Sequence, residues 1–159
     1  MGDLLGLSLG PRCGLRRAVG ASTWLARGVA LEADQPEAAM AAYRRALAGC
    51  PSFADAHNNL GRLLHQRGEL AEAELHYRAA LAAEASSLHW FNLGVALDDQ
   101  QRRDAAIEAY REALALEPAM REAHLNLARL LDQRGRGTGQ PADLQAAVRH
   151  LAQYRRLRA

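Results

Sequence analysis

Three asparagines recur at nearly equal intervals along the 159-residue chain and carry the most definite chemistry in the sequence. They are Asn59, Asn92 and Asn126. A primary amide donates and accepts hydrogen bonds at once, so it matches the N–H and C=O groups of a peptide backbone. Equivalent asparagines therefore predict a surface that holds an extended peptide with little dependence on its sequence. The alternative is that these amides tie neighbouring helices together, and the residues alone leave both interpretations open.

The side chains around the asparagines predict ionic and apolar contacts to the same ligand. Arg62 and Arg129 are expected to pair with ligand carboxylates, and Asp98, Asp99 and Asp132 to receive basic side chains. An apolar patch is expected at the centre of the surface. The complete predicted peptide-binding set is Asn58, Asn59, Arg62, Leu88, Phe91, Asn92, Val95, Asp99, Leu125, Asn126 and Arg129.

Histidine, glycine and serine residues are present, but their spacing does not match a metal site, a phosphate-binding loop or a catalytic site. The six histidines are scattered, and His57 and His124 occupy equivalent positions that favour packing over metal ligation. The glycine-rich run 135–139 follows a predicted helix where a phosphate-binding loop would follow a strand. No serine lies in a nucleophile elbow. We therefore predict no enzymatic activity, no cofactor and no metal site.

The two cysteines, Cys13 and Cys50, form neither a close set nor a CxxC motif. This spacing indicates neither a disulfide framework nor a zinc site, so we predict thiols in a reducing compartment. No stretch reaches the ~20 apolar residues that a membrane span needs. The N-terminus also lacks the charge order of a signal peptide. The expected location is cytoplasmic, without a membrane partner.

Charge is distributed unevenly, although the net charge is only +2. Residues 54–120 carry six arginines against eleven acidic residues, and residues 121–159 carry eight arginines against three. Such a separation can orient a charged partner by long-range steering, or it can reflect ordinary solvated helix faces. The basic end predicts a solubilising terminal helix, with contact to a polyanion as the alternative.

A second repeated phrase predicts the elements that must position these side chains. Tyr43, Tyr77 and Tyr110 each begin a similar helical phrase, at intervals as regular as those of the asparagines. A period of about 34 residues is typical of stacked helix hairpins. A first helix is expected from about residue 21, and a second is expected to begin at Pro36. The later helices are predicted over 54–67, 70–83, 87–100, 103–116, 120–134 and about 142–157.

Glycine and proline mark the expected interruptions. Residues 1–19 predict a loose leader with one short helical piece near 3–9, because closely spaced glycines and Pro11 disfavour a stable helix. Residues 135–141 predict a long loop. Small residues on the first helix of each pair should permit close approach, with the tyrosines filling space toward the next hairpin. The last helix is expected to pack on the array through Leu144, Val148, Leu151 and Tyr154.

These phrases resemble the tetratricopeptide repeat over about residues 21–157. The signature of that repeat combines an aromatic residue, Leu-Gly, a large residue, Ala, an aromatic residue, Ala and Pro. The best match is Trp90, Leu93-Gly94, Leu97, Ala106, Tyr110, Ala113 and Pro118. The first helix of the N-terminal unit lacks Leu-Gly, which is where the chain departs from the pattern.

The resemblance implies an all-α fold, a right-handed α-α superhelix of about four repeats. Their expected bounds are 20–53, 54–86, 87–120 and 121–157. It also implies that the first helix of each pair lines a concave groove. The asparagines are similar to the ladder in the superhelical domain of O-GlcNAc transferases. The chain departs from the family's carboxylate clamp for chaperone tails, because Asn58, Glu122 and Asn126 replace basic residues.

The sequence therefore predicts a non-catalytic scaffold that binds an extended peptide or partner segment in the groove. A protein or peptide is the expected partner, and neither a small-molecule substrate nor a nucleic acid is expected. The alternative is a regulatory or sensor fragment of a larger transcription regulator or glycosyltransferase-like protein. The first option rests on a looser similarity to bacterial arrays that follow a helix-turn-helix domain.

Overall fold

The computed structural model describes Cys13 and residues 15–158, and helices dominate this part of the chain. The helices are α1 (Leu15–Leu31), α2 (Pro36–Gly49), α3 (Ala54–Gln66), α4 (Leu70–Ala83), α5 (Ser87–Asp99), α6 (Arg103–Leu116), α7 (Arg121–Thr138) and α8 (Pro141–Arg158). The predicted all-α fold class is confirmed. The predicted bounds of α4 and α6 agree with the observed ones, because their ends depend on local signals.

Two compact units make up the chain, Met1–Glu84 and Ala85–Ala159. The first unit holds the hairpins α1–α2 and α3–α4, and the second holds α5–α6 and α7–α8. Within each unit, the second helix of the first hairpin also packs on the first helix of the next, as α2 on α3 and α6 on α7. Each unit is thus two helix hairpins packed together.

Helix ends follow the local chemistry of their residues. Pro36 begins α2, where its missing N–H costs no helical hydrogen bond. Gly68 follows α3 with φ of 80°, the left-handed conformation that glycine adopts readily. The hydroxyl of Ser86 accepts a hydrogen bond of 3.2 Å from the N–H of His89 and caps α5.

Three buried tyrosine rings set the spacing inside the hairpins. Each ring lies against a glycine of the facing helix, in the pairs Gly28 with Tyr43, Gly61 with Tyr77 and Gly94 with Tyr110. A Cβ at Gly94 would lie 2.7 Å from the ring of Tyr110. The rings therefore fill space within their own hairpin, and this packing adds to the contacts that Tyr43 and Tyr110 make with Asn59 and Asn126 of the next hairpin. The first hairpin also has its packing glycine, although no leucine precedes it.

The N-terminal helix begins earlier than the sequence predicts. Helix α1 starts at Leu15, inside the predicted leader, and the expected helical piece near 3–9 lies outside the described residues. Ala18 and Ala21 are buried, and Ala21 belongs to an apolar cluster with Ala46 and Phe53. This burial stabilises a helix whose sequence alone is a weak helix former, as tertiary packing commonly does.

Cys13 and Cys50 form a disulfide, with their Cα atoms 5.5 Å apart. The prediction of free thiols is therefore wrong. A separation of 37 residues has no motif that reveals a disulfide. The two residues meet because hairpin packing brings the start of α1 beside the end of α2.

Helix α7 continues to Thr138, so the predicted loop over 135–141 is wrong for most of its length. Gly135 lies against Leu144, where a Cβ would come within 2.9 Å of the leucine side chain. The hairpin is closed by a bidentate ion pair from Arg134 to Asp143, with N–O distances of 2.7 and 2.8 Å. Gly139, with φ of 70°, then ends the helix.

This ion pair also joins the last hairpin to α6. Arg134 donates a third hydrogen bond, of 3.0 Å, to Asp104. The guanidinium beside Asp143 lowers the pKa of that carboxyl group below its usual value. Three charge-assisted hydrogen bonds from one side chain thus orient α7, α8 and the start of α6.

The packing of α8 differs from prediction at one residue. Ala147 is buried, as expected, and Leu144, Leu151 and Tyr154 are partly buried. Val148, expected to pack on the array, leaves 69% of its surface exposed. The apolar face of α8 is therefore covered by α7 on one side only.

Candidate peptide-binding surfaces

The predicted site residues lie on the first helices of three hairpins, in two groups. Asn58, Asn59 and Arg62 belong to α3 in the first unit. The second unit carries the rest, which are Leu88, Phe91, Asn92, Val95 and Asp99 on α5 and Leu125, Asn126 and Arg129 on α7. The structure thus brings most of the predicted set together in the second unit.

An apolar stripe runs along α5 in the second unit. Leu88, Phe91, Val95 and Asp99 follow the spacing of one helix face. Leu88 is 51% exposed, whereas Phe91 and Val95 are half-buried. The Phe91 ring is held by Tyr110, with 5.7 Å between ring centroids. Such partly supported apolar side chains can cover a ligand without rearranging the helix.

The next first helix adds to this surface. On α7, Leu125 is 40% exposed. Arg129 of α7 forms an ion pair with Asp98 of α5, so the end of α5 lies within side-chain reach of α7. The apolar stripe and Leu125 thus belong to the first helices of successive hairpins in the second unit.

Asn59 and Asn126 each bond to the tyrosine of the preceding hairpin. The amide of Asn126 donates a 3.3 Å hydrogen bond to the hydroxyl of Tyr110. Asn59 makes the equivalent side-chain hydrogen bond to Tyr43. These contacts support the alternative interpretation for Asn59 and Asn126, in which the amides tie helices together. Asn58 is 6% exposed and donates a 3.4 Å hydrogen bond to Asn59.

Both arginines of the set pair with acidic groups inside their own unit. Arg62 pairs with Glu32, and Arg129 pairs with Asp98. In each case the acid lies at the end of the first helix of the preceding hairpin. Sequence reasoning assigned both arginines to a ligand and missed Glu32. Its signal was available, because Glu32 and Asp98 each follow the packing glycine of their hairpin at the same spacing.

The hydroxyls of Tyr43 and Tyr110 complete these networks, and the hydroxyl of Tyr110 accepts from Asn126. The hydroxyl of Tyr43 donates to Glu32. Burial raises the pKa of Tyr43, and the hydrogen bond to Glu32 raises it further. Burial also raises the pKa of Tyr77 to about 12. The phenols stay protonated at neutral pH, so the networks of Tyr43 and Tyr110 each hold one acid, one arginine, one phenol and one amide.

Two histidine pairs lie at equivalent places in the two units. Nδ1 of His57 and Nδ1 of His76 are 2.9 Å apart, and His124 and His150 show the same distance. Nε2 of His57 lies 2.9 Å from the carbonyl oxygen of Pro51. A carbonyl only accepts, so Nε2 of His57 carries the hydrogen and Nδ1 accepts from His76. These pairs join adjacent helices, which agrees with the predicted packing role of His57 and His124.

The described part of the chain offers no metal-binding cluster of acidic, cysteine and histidine side chains. No group of three or more His, Cys, Asp or Glu side chains there has the geometry to hold a metal ion. None of the described helices is long and apolar enough to span a bilayer.

Comparison with known proteins identifies one family. The family model for the tetratricopeptide repeat matches residues 17–87 and 91–155. The human protein O-mannosyl-transferase TMTC1 is 38% identical over 73 residues, which is 46% of this chain and 8% of that protein. The matched segment therefore covers less than a tenth of the length of this curated relative.

Solved structures share the fold. A crystal structure of MamA has a TM-score of 0.77 at 19% identity, over 87% of this chain and 78% of that one. YrrB, described as a tetratricopeptide repeat protein with an unusual peptide-binding site, has a TM-score of 0.70 at 21% identity. That match covers 82% of this chain and 68% of YrrB. At these identities the likeness extends to the fold alone.

Proposed function

Because the chain belongs to the tetratricopeptide repeat family, we propose that it is a non-catalytic scaffold that binds an extended segment of a protein partner. The observation that carries this proposal is the apolar stripe of Leu88, Phe91 and Val95 on α5, together with the exposed Leu125 on α7 of the same unit. Asn92 lies within the stripe and supplies an amide for the peptide backbone.

The polar residues of the predicted set have different roles in this proposal. Asn92 and Asp99 are assigned to polar ligand contacts because they lie on α5 beside the residues of the apolar stripe. Arg129 links α7 to α5 through Asp98, and Asn126 links α7 to α6 through Tyr110. In the first unit, Asn58, Asn59 and Arg62 would form a separate and smaller contact surface on α3, because Asn58 is buried.

A peptide array tests this function. A library of twelve-residue peptides, rich in proline and β-branched residues to favour extended backbones, is probed with the purified chain. Asn92→Ala should weaken binding of the selected peptides by roughly 1 kcal/mol, about fivefold in affinity, because hydrogen bonds to the peptide backbone are lost. Gln153→Ala removes an exposed amide from α8 and serves as the matched control. Equal affinity of Asn92→Ala and wild type would contradict the role of Asn92.

A second candidate is supported by the human relative, in which a matching segment belongs to a much longer transferase. The chain would then be the repeat portion of a longer glycosyltransferase-like protein and would present substrates or partners to the catalytic portion of that protein. Immunoblotting of the endogenous protein tests this candidate, because a mass close to 17.3 kDa would contradict it.

A cytoplasmic location remains a prediction. The Cys13–Cys50 disulfide weighs against it, because cytosolic thiols are kept reduced. Alkylation of the protein in intact cells, before lysis, would distinguish free thiols at Cys13 and Cys50, which react, from the disulfide, which does not.

A further inference from the structure

The same interface between hairpins occurs once in each unit. Helix α3 covers α2 in the first unit, and α7 covers α6 in the second. The covered helices share a phrase in which an alanine is followed by a large apolar residue and, one helix turn later, a tyrosine. These phrases are Ala39-Met40 with Tyr43 and Ala106-Ile107 with Tyr110.

Helix α8 carries the equivalent phrase in Ala147-Val148 with Leu151. The histidine pairs support this alignment of α8 with the second helices of the other hairpins, because His150 directly precedes Leu151 as His76 directly precedes Tyr77. At the position after the alanine, Met40 is 2% exposed and Ile107 is 0% exposed, whereas Val148 is 69% exposed. The fourth hairpin therefore presents openly the face that the first and third hairpins bury.

Each hairpin that has this face also carries an acidic residue at an equivalent position in or just after its first helix. Glu32 receives Arg62 from the covering helix, and Asp98 receives Arg129. Asp132 follows Ala128 at the spacing by which Asp98 follows Gly94. It pairs at 2.8 Å with Arg136 of its own helix, and both side chains are substantially exposed. The fourth hairpin thus has the acid that would receive an arginine from an incoming helix.

The exposed apolar face of α8 and the carboxylate of Asp132 border the same groove, which lies between α7 and α8 and has a volume of about 410 Å³. Its lining is mostly apolar and includes three charged side chains. The apolar lining residues are Leu125, Ala128, Ala147, Val148 and Leu151, and the charged ones are Arg129, Asp132 and Arg136. In the covered hairpins, the equivalent space holds the covering helix.

We propose that this groove docks an amphipathic helix of a protein partner, one that places an arginine opposite Asp132 and apolar residues on Val148 and Leu151. The partner helix would repeat the contacts that α3 and α7 make inside the chain. This surface is distinct from the stripe on α5, although Leu125 borders both.

A second copy of this chain fits the groove less well than such a partner. The arginines of α3 and α7 directly follow the packing position of their helices, after Gly61 and Ala128. In α1 the corresponding residue, after Gly28, is Val29. Helix α1 of another copy would therefore bring no guanidinium to Asp132.

Binding of a synthetic helix to the intact chain tests the proposal. The probe is a stapled, fluorescent peptide with the sequence of residues 119–134, which contains Arg129. Binding is measured by fluorescence anisotropy. Val148→Glu should weaken it at least about tenfold, because the docked helix would bury a carboxylate. Leu75→Glu, at another exposed apolar residue, is the matched control and should change nothing.

Arg129→Gln in the peptide should weaken binding to the wild-type chain about fivefold, but not to the Asp132→Asn chain. Asn92→Ala in the chain should leave this peptide's affinity unchanged, which separates the groove from the proposed α5 surface. No binding of the peptide, or equal weakening by Leu75→Glu, would overturn the proposal. So would sedimentation showing a dimer that Val148→Glu dissociates, because the occupant would then be a second copy.

Discussion

Single residues decide how closely the helices of each hairpin approach. Gly28 faces the buried ring of Tyr43 so closely that an added Cβ would overlap several ring atoms. Gly20, in the same helix, has open space where its Cβ would be. Both glycines have the same intrinsic helix propensity, but only Gly28 is in a packed site. Substituting each in turn therefore separates the effect of helix propensity from that of packing.

We predict opposite changes in stability for the two alanine substitutions. Gly28→Ala should lower the free energy of unfolding by roughly 1–3 kcal/mol, because the ring of Tyr43 must move out of a packed site. Gly20→Ala should raise it by about 0.5–1 kcal/mol through helix propensity. Urea unfolding followed by circular dichroism measures both. A stabilising Gly28→Ala would show that the ring is not confined there.

At the scale of elements, polar side chains link helices that apolar packing has already brought together. In the first unit, the pair of His57 and His76 joins α3 to α4, and its neutral form satisfies both nitrogens of His57 and Nδ1 of His76. Burial lowers the pKa of both histidines. For His76, the charges of His57 and Arg44 lower the pKa further, whereas Glu72 opposes the shift.

We therefore expect stability to fall on acidification. The folded-state pKa values lie below the unfolded value of about 6.5, so the unfolded chain binds more protons in the intervening range. The contribution is fully present above that pH and is lost as the pH falls below it. The urea midpoint should be lower at pH 5.5 than at pH 7.5. Burial likewise lowers the pKa of His150 in the second unit. Substituting glutamine for His76 and His150 should therefore flatten this dependence, and an unchanged slope would contradict the role of the pairs.

Over the whole molecule, the chain consists of two related units. Pro51, His57 and Arg62 recur at one constant offset as Pro118, His124 and Arg129, with the same partners by type. The units differ in that the Cys13–Cys50 disulfide belongs to the first. Reduction should therefore act on one unit directly.

Each unit carries one tryptophan that can report its unfolding separately, Trp24 in the first and Trp90 in the second. Reduction should destabilise the first unit by roughly 3–4 kcal/mol, because the unfolded chain regains a loop of about 37 residues. In a Trp90→Phe variant, the urea midpoint reported by Trp24 should fall on adding dithiothreitol. A variant with both cysteines changed to serine should not respond. An unaltered Trp24 transition after complete reduction would refute this prediction.

Much of the fold was predictable because its signals are local. Pro36, Gly68 and the phrase around each tyrosine act within a few residues of themselves, so the spacing alone predicts the hairpins and most helix ends. The loop predicted over 135–141 failed for a physical reason. Gly135 serves close packing against Leu144 there, and the ion pair of Arg134 with Asp143 extends the helix.

The candidate site was only partly predictable. Periodicity determined which face of each first helix carries Asn59, Asn92 and Asn126, because their position relative to the neighbouring core residues is fixed by the helical repeat. Whether an amide or guanidinium points to a ligand or to the protein depends on groups that are distant in the sequence, such as Glu32 opposite Arg62.

The sequence by itself determined the helices, their order and the family, since these follow from periodic short-range patterns. Only the tertiary structure decided that Cys13 meets Cys50, that Arg62 and Arg129 are held by acids, and that Val148 is exposed. Each of these depends on which distant segments come into contact. A contact of that kind leaves no periodic trace in the chain.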